Sequence, residues 1–358
     1  MAINAHAIYT PAITSSPFEK EYRVVLMLPF CIGMSDKYKI REIMAEYYEG
    51  VEIAIAELEQ MGMKMDLKVL DTKQDSLEVI RLLSDPEMQK ADLIIGPVYD
   101  NELFEVEKFC ATYKIPLVSP LRYYPNSLGA DFPLINCNAV DSLQCFYNAK
   151  MVAEAFKKFQ VVVVDDDPKS NKSASRNFKK GYDLATGKSC QIIDGKIQTA
   201  EMVWNGKDSM LLFYVGKGHA SSSNGIANMK NDKWLVLGPA EWLDIERVNY
   251  NVLNGMYFYG NYLVPYNDTF YKSFRKSYRE VYGGDPERYT FIGYDQFLFF
   301  CSALMAFDHN FYKLMIGKEF RYTHRTFQFV KRGNLIENAG TNLFYYDQYK
   351  FYKAYWRY

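Results

Sequence analysis

Short apolar segments that favour β-strands alternate with longer amphipathic segments over the first third of this chain. The strand-like segments are Tyr22–Leu28, Leu67–Leu70, Leu93–Ile95 and Ile115–Ser119. Between them, the spacing of apolar residues predicts helices over 42–61, 76–90 and 101–113. Strands that are apolar throughout and are separated by helices indicate a parallel sheet with helices on both faces.

A second series of the same kind starts near Asp141. It predicts helices over 142–158 and 173–185, and strands over 160–164, 210–215, 234–237 and 256–259. With 358 residues, the chain is longer than the roughly 250–300 residues at which a single core stops growing, so we expect two α/β lobes. The aromatic C-terminal run, with Asp347-Gln348 between two strand-like halves, predicts a terminal hairpin.

The most distinctive motif lies between two predicted helices late in the chain. A helix over 267–282 runs into Gly283-Gly284-Asp285-Pro286, and Gly293-Tyr294-Asp295 then opens a second, apolar helix. Glycine permits the left-handed C-cap that ends a helix, and the following Asp-Pro cannot continue it. The segment resembles the "Tyr-Gly-x-x-Pro … Gly-Tyr-Asp" segment of type I periplasmic solute-binding proteins, the leucine/isoleucine/valine-binding class.

Five further segments resemble the same family, in the family's order. They are YYEGVEIAIAELEQMG (47–62), LKVLDTKQD (67–75), ADLIIGPVYD (91–100), KIPLVSP (114–120) and NVLNGMYFYGNYLVPYN (251–267). The resemblance covers about 22–355 and implies two doubly wound lobes joined by a three-strand hinge. It places 22–139 with 254–325 in lobe 1 and 140–253 with 326–358 in lobe 2, while residues 1–21 are expected to be a tail or linker.

Composition and motifs argue against several other classes of function. The formal net charge of −1 gives no electrostatic footprint for nucleic acid, and the longest apolar run, Phe297–Phe307, is too short to span a bilayer. The six cysteines and four histidines show no metal-type spacing, and we find no nucleophile elbow or other catalytic motif. We therefore expect a non-enzyme without metal or cofactor.

Ligands of parallel α/β sheets bind outside the carboxyl ends of the strands. Seven residues at these strand ends are the candidate ligand-binding set: Phe30, Tyr99, Ser119, Arg122, Asp166, Tyr214 and Glu241. By the resemblance, their loops line a cleft between the lobes, with Ser119 and Arg122 in lobe 1 and the last three in lobe 2. The family's amino-acid binders usually offer small hydroxyl residues where this chain has Tyr99 and Arg122. The departure indicates a different, larger or more anionic ligand. Two alternatives stay open: a filled cleft, and Arg122 as a simple surface residue.

Two functions stay open at this point. The first is a periplasmic or cell-envelope receptor that captures a small polar, amino-acid-like ligand by lobe closure, for an ABC-type permease or for sensing. The second is an envelope scaffold of the same fold, like the lipoprotein activators of peptidoglycan synthases or chains associated with LysM modules, acting through protein or peptidoglycan contacts. A repressor effector domain would need a helix-turn-helix that residues 1–20 do not supply.

Overall fold

The structure, a computed structural model, describes residues 20–125, 134–165, 167–194, 197–215, 232, 234–244, 250–264, 266, 268–322 and 325–354. The chain divides into a first unit (Met1–Ala139, Ser273–Tyr322 and Phe327–Asn338) and a second unit (Val140–Lys272, Thr323–Thr326 and Ala339–Tyr358). The expected tail lies almost wholly outside the described residues, which begin at Lys20.

The described elements follow the predicted alternation of strands and helices. The strands are β1 (Glu21–Leu28), β2 (Lys64–Asp71), β3 (Leu93–Ile95), β4 (Leu117–Ser119), β5 (Leu134–Asn136), β6 (Gln160–Val164), β7 (Gln191–Ile193), β8 (Met210–Tyr214), β9 (Trp234–Pro239), β10 (Tyr257–Gly260), β11 (Glu319–Arg321), β12 (Thr326–Arg332), β13 (Leu335–Asn338), β14 (Asn342–Asp347) and β15 (Lys350–Lys353). The helices are α1 (Tyr38–Gln60), α2 (Ser76–Leu83), α3 (Asp100–Tyr113), α4 (Asp141–Ala155), α5 (Pro168–Thr186), α6 (Ile197–Val203), α7 (Tyr250–Leu253), α8 (Thr269–Tyr282), α9 (Arg288–Phe307) and α10 (Phe311–Met315). Short 3₁₀ helices cover Ser35–Lys37, Pro86–Lys90, Ala240–Asp244 and Asp308–Asn310.

The first unit is built on an eight-stranded sheet in the order β11-β12-β13-β5-β4-β3-β1-β2. β1 to β5 pair in parallel, as their apolar sequences predict, and β13 joins β5 in parallel. β12 pairs with β13 in the antiparallel sense, so the sheet is mixed at that edge. The carboxyl ends of β1, β3 and β4 carry Phe30, Tyr99 and Ser119, which therefore lie along one edge.

Helices α1 and α9 of the first unit pack at a contact that only glycine allows. A Cβ on Gly50 would lie 1.8 Å from the carbonyl oxygen of Thr290, and one on Gly293 would lie 2.0 Å from the carbonyl oxygen of Tyr47. The two backbones therefore touch directly, and α9 is buried along most of its length.

One helical stretch in the described part of the chain, Arg288–Met315, is long and apolar enough to cross a membrane. However, 78% of its most apolar window is buried inside the protein, as is typical of a core helix. The helix begins at Arg288, five residues before the predicted start at Gly293. The predicted end of α8 is confirmed, because Gly283 has φ +76° and its N–H donates to the carbonyl of Arg279.

The second unit is built on a seven-stranded sheet in the order β15-β14-β10-β9-β8-β6-β7. Strands β6 to β10 pair in parallel, and β14 and β15 form the predicted terminal hairpin. Its turn is Gln348-Tyr349, both with positive φ, one residue later than predicted. Two buried clusters cover the two faces of this sheet, one around Trp242 and Phe258 and the other around Phe178 and Phe213.

Strand pairing changes two of the expected lobe boundaries. The division after residue 139 is as expected, but β10 is hydrogen-bonded between β9 and β14. Residues 254–272 therefore belong to the second unit, and the chain passes to the first unit within α8 rather than near 253. The chain enters the second unit at Thr323–Thr326, close to the expected crossing near 325, but β12 and β13 pair in the first sheet, so the lasting return to the second unit comes after Asn338.

Candidate functional site

The segment that follows β4 in the first unit is held by side chains at each successive carbonyl. The Ser119 hydroxyl donates to the carbonyl of Arg122 (2.9 Å), and the Asn138 amide donates to the carbonyl of Leu121 (2.7 Å). The Gln296 amide, from α9, donates to the carbonyl of Pro120 (2.8 Å). Three carbonyls in a row are thus satisfied by the protein, which fixes the backbone of this segment.

Gln296 and Asn136 make further hydrogen bonds in this part of the first unit. Gln296 is fully buried and also accepts a hydrogen bond from the Tyr47 hydroxyl (2.8 Å). Asn136, at the end of β5, accepts from the N–H of Tyr124 and donates to its carbonyl. Neither residue belongs to the candidate set from the sequence, although a glutamine inside an otherwise apolar helix is a signal that a buried partner must exist.

The side chain that this segment presents outward is Arg122. It is exposed, and its guanidinium lies over the ring of Tyr99, 5.0 Å from the ring centroid. Among the described residues, no carboxylate forms an ion pair with it. A guanidinium offers five N–H donors in a planar fork that fits a carboxylate, so the stack leaves Arg122 positioned to bind an anionic group.

Tyr99 is the N-cap of α3, and its carbonyl accepts from the backbone of Glu102 and Leu103. Partial burial raises the pKa of the Tyr99 hydroxyl, while the nearby Arg122 cation acts in the opposite direction. Glu102, in the first turn of the same helix, is fully buried, and burial raises its pKa to about 7. The anionic form of Glu102 is therefore disfavoured beside Tyr99.

Two other predicted residues of the first unit offer little polar chemistry. Ser119 is completely buried, and its hydroxyl donates to the backbone carbonyl of Arg122. Its role in the structure is therefore to stabilise the backbone. Phe30 is half-buried and packs edge-on against Tyr48, with ring centroids 5.9 Å apart. The loop after Phe30 is held by the Asp71 carboxylate, which accepts from the N–H groups of Cys31 and Ile32.

In the second unit, the predicted residues are placed less favourably for binding. Tyr214 is 2% exposed, and its ring packs against Trp242 inside the core. Glu241 is exposed in the 3₁₀ helix after β9. Asp166 lies outside the described residues, but its neighbour Asp165 is buried and accepts a hydrogen bond from the Ser175 hydroxyl (2.7 Å).

One group of side chains in the described residues has the geometry of metal ligands. Carboxylate and imidazole atoms of Asp92, Asp308 and His309 lie within 4.8 Å of one another. The Lys20 ammonium lies 2.7 Å from Asp308 and 3.3 Å from Asp92, so a cation of the protein already pairs with both carboxylates. We interpret the group as an ion-pair network, in which the hydrogen bond to Asp92 raises the pKa of His309.

The structure is similar to solved solute-binding proteins over nearly the whole chain. A putative branched-chain amino acid ABC transporter from Rhodospirillum rubrum matches with a TM-score of 0.66 and 12% identity, over 94% of this chain and 100% of the other. An ABC transporter substrate-binding protein from Desulfitobacterium hafniense in complex with Leu matches with a TM-score of 0.54 and 15% identity, with the same coverage.

A third similar structure has a different description. The C-domain of LpoA from Haemophilus influenzae, described as a regulator of PBP1A, matches with a TM-score of 0.61 and 15% identity, over 93% of this chain and 100% of that domain. Neither a family model nor a curated protein matches the sequence. At these identities the likeness establishes the fold: the chain has the two-lobed α/β fold of type I periplasmic binding proteins.

Proposed function

We propose that this protein is a non-catalytic receptor that binds a small polar, amino-acid-like solute, and that Arg122 binds the carboxylate of that solute. The observation that carries the proposal is the Arg122 guanidinium, exposed at the carboxyl edge of the first sheet and stacked on Tyr99. Edges of this kind are where parallel α/β sheets bind ligands. Uptake through an ABC-type permease, or sensing, in the periplasm or cell envelope is the setting that the fold supports.

The fixed backbone around Arg122 supports the same proposal. Ser119, Asn138 and Gln296 donate hydrogen bonds to three consecutive carbonyls. The backbone that carries Arg122 therefore has a defined conformation before a ligand binds. Binding then loses less conformational entropy than it would with a mobile loop. Among the described candidates of the second unit, Glu241 is exposed after β9 and carries a negative charge.

A thermal-shift screen of the purified chain against amino acids, short peptides, sugars and peptidoglycan fragments tests this function. A ligand present at one hundred times its dissociation constant adds about 2.7 kcal/mol of stability, which raises the melting temperature by several degrees. We expect a shift with ligands that carry a carboxylate and none with neutral sugars. A shift with neutral sugars alone would contradict the assigned ligand class.

Arg122→Ala then tests the assigned residue with whichever ligand binds. Loss of a charge-assisted, two-pronged contact should weaken binding at least about tenfold, as measured by calorimetry. Arg81→Ala is the matched control, since Arg81 is an exposed arginine of the same unit in the last turn of α2. Unchanged affinity in Arg122→Ala would refute the role of Arg122.

A second candidate function, an envelope regulator, has support of its own. Ser119 and Tyr214 are committed inside the protein, so fewer polar groups face a ligand than the sequence suggests. The LpoA C-domain, described as a regulator of PBP1A, has the same fold. If no compound in the screen shifts the melting temperature, binding to a PBP1A-type synthase, measured by biolayer interferometry, becomes the test.

A further inference from the structure

Helix α5 in the second unit carries a row of cations along its exposed face. We call this row the α5 stripe; it consists of Lys169, Lys172, Arg176 and Lys180, all exposed. The opposite face of the helix, with Ala174, Phe178 and Tyr182, is buried in the core of the unit. Eleven residues separate the ends of the stripe, so at 1.5 Å per residue it is about 16 Å long.

The charges of the stripe are not neutralised by neighbouring acids. Within the described part of the chain, no carboxylate forms an ion pair with Lys172, Arg176 or Lys180, although Asp167 lies near Lys169. The acid that α5 does contain, Asp183, pairs with Lys179 at 3.3 Å, outside the stripe.

Helix α8 is also rich in basic residues, but two of them are neutralised by a nearby carboxylate. Two of its cations, Arg275 and Arg279, both bind the carboxylate of Asp285 through paired hydrogen bonds. That carboxylate has a strongly lowered pKa because of its hydrogen bonds to Arg275 and Arg279. A surface helix of this protein can therefore be rich in cations and still be neutralised locally, which the α5 stripe is not.

The stripe is unfavourable for the helix that carries it. Its members stand three or four residues apart, a spacing at which like charges repel across a helix surface. Lys169 and Lys172 also lie near the N-terminus of α5, where the helix dipole disfavours positive charge. Because the whole chain has 42 basic and 43 acidic residues, overall composition does not account for this concentration of charge.

The residues around the stripe indicate the chemical class of its partner. The exposed residues between the cations are polar, Ser170 and Ser173 among them, and the one large exposed apolar residue of α5 is Leu184, beyond the stripe. A stable protein interface needs an apolar core, and single-stranded nucleic acid binding needs exposed aromatic rings. Neither is present on this face of α5. A straight row of cations interleaved with hydroxyls fits a surface that presents many phosphate groups.

We propose that the α5 stripe binds the headgroups of an anionic phospholipid bilayer, by charge and without insertion. This inference goes beyond solute binding, because it assigns a membrane-facing surface to the second unit. Each basic residue near an anionic leaflet contributes about 1 kcal/mol, which corresponds to about fivefold in affinity. Four such residues give weak, reversible and salt-sensitive binding of the kind that would keep a receptor near its membrane.

Vesicle co-sedimentation of the full chain tests the proposal. We expect binding to vesicles of phosphatidylcholine with about a third phosphatidylglycerol, no binding to pure phosphatidylcholine, and release when salt shortens the Debye length from about 10 Å at 0.1 M to a few ångströms. Lys172→Gln/Arg176→Gln should weaken binding roughly twenty-fivefold, because two contributions of about fivefold are lost. Circular dichroism melts establish that the variant is folded.

Lys272→Gln/Lys276→Gln on α8 is the matched control. Both lysines are exposed and stand four residues apart, and their replacement removes the same charge as the α5 variant. This variant should bind vesicles as the unmodified protein does. Equal weakening by both variants, equal binding to both vesicle types, or no binding at low salt would each overturn the proposal. Binding to heparin or DNA but not to vesicles would assign the stripe to a different polyanion and overturn it as well.

Discussion

Replacing Gly50 by alanine should destabilise the first unit, although alanine is the better helix former. A Cβ at this position would lie 1.8 Å from the Thr290 carbonyl oxygen and 2.8 Å from the Tyr294 nitrogen. Carbon–oxygen contacts are normally no shorter than about 3.3 Å, so α1 and α9 would have to separate by about 1.5 Å. Overpacking typically costs 1–3 kcal/mol. Because both clashing groups are backbone atoms, we expect a net loss of about 3 kcal/mol.

Thermal melts followed by circular dichroism measure this effect. For a unit of this size, about 3 kcal/mol lowers the melting temperature by roughly 6–12 °C. Gly284→Ala is the control, because its Cβ would meet nothing within 4 Å. Gly293→Ala should act like Gly50→Ala, and the double variant should cost less than the sum, since both clashes are relieved by the same separation. If Gly50→Ala melts at or above the temperature of the unmodified protein, as helix propensity alone predicts, the close-contact argument is refuted.

Three further outcomes follow from the buried groups. Phe327→Ala should cost about 3–5 kcal/mol in urea unfolding, because the buried Phe327 ring stacks on Phe299 at 4.4 Å; a loss below 1 kcal/mol would contradict the packing. The pKa of Glu102 is raised to about 7 by burial, so the folded state holds its proton more tightly, and this group's contribution to stability falls as pH rises from about 4.5 to 7. Glu102→Gln should therefore gain melting temperature relative to the unmodified protein between pH 5 and 8, and equal changes in both would exclude Glu102 as the cause. All six cysteines are buried as thiols, so Ellman's reagent should titrate six thiols only after denaturation, whereas four or fewer would indicate a disulfide.

Most regular elements could be predicted because their signals are local. Apolar runs place β1, β6 and β8 within a residue of their observed bounds, and the glycine C-cap places the end of α8. The short strands β5, β7, β11 and β13 have three or four residues each and were not predicted. Such short strands form because a neighbouring strand supplies their hydrogen bonds. That neighbour is distant in the sequence, so the local pattern does not reveal it.

The lobe boundaries depended on pairing rather than on pattern. β10 reads as a strand in the sequence, but nothing local distinguishes a strand paired with β9 and β14 from one that joins the other sheet. The resemblance to the solute-binding family suggested the wrong neighbour for this segment. Its antiparallel partner β14 lies more than eighty residues later in the chain, so the choice is made by contacts that form only in the folded unit.

Side-chain direction at strand ends limited the prediction of the site in the same way. Both faces of the second sheet are covered, so every residue of β8 is buried, and its last residue, Tyr214, packs in the core against Trp242. Ser119 ends β4 and turns back to its own segment. The sequence could predict at which edge of the sheet the site lies. Which side chains are exposed at that edge depends on residues distant in the chain, such as Gln296.

The two departures from the family pattern, Tyr99 and Arg122, are related to each other in the structure. From the sequence, a bulky tyrosine and an arginine able to bind an anion with two hydrogen bonds support either a different ligand or a filled cleft. In the first unit the Tyr99 ring lies beneath the Arg122 guanidinium, so the tyrosine serves as a platform and the arginine stays exposed. An arginine that filled space would be buried or paired with a carboxylate, and this one is neither among the described residues. The pair therefore supports the proposal that Arg122 binds an anionic group.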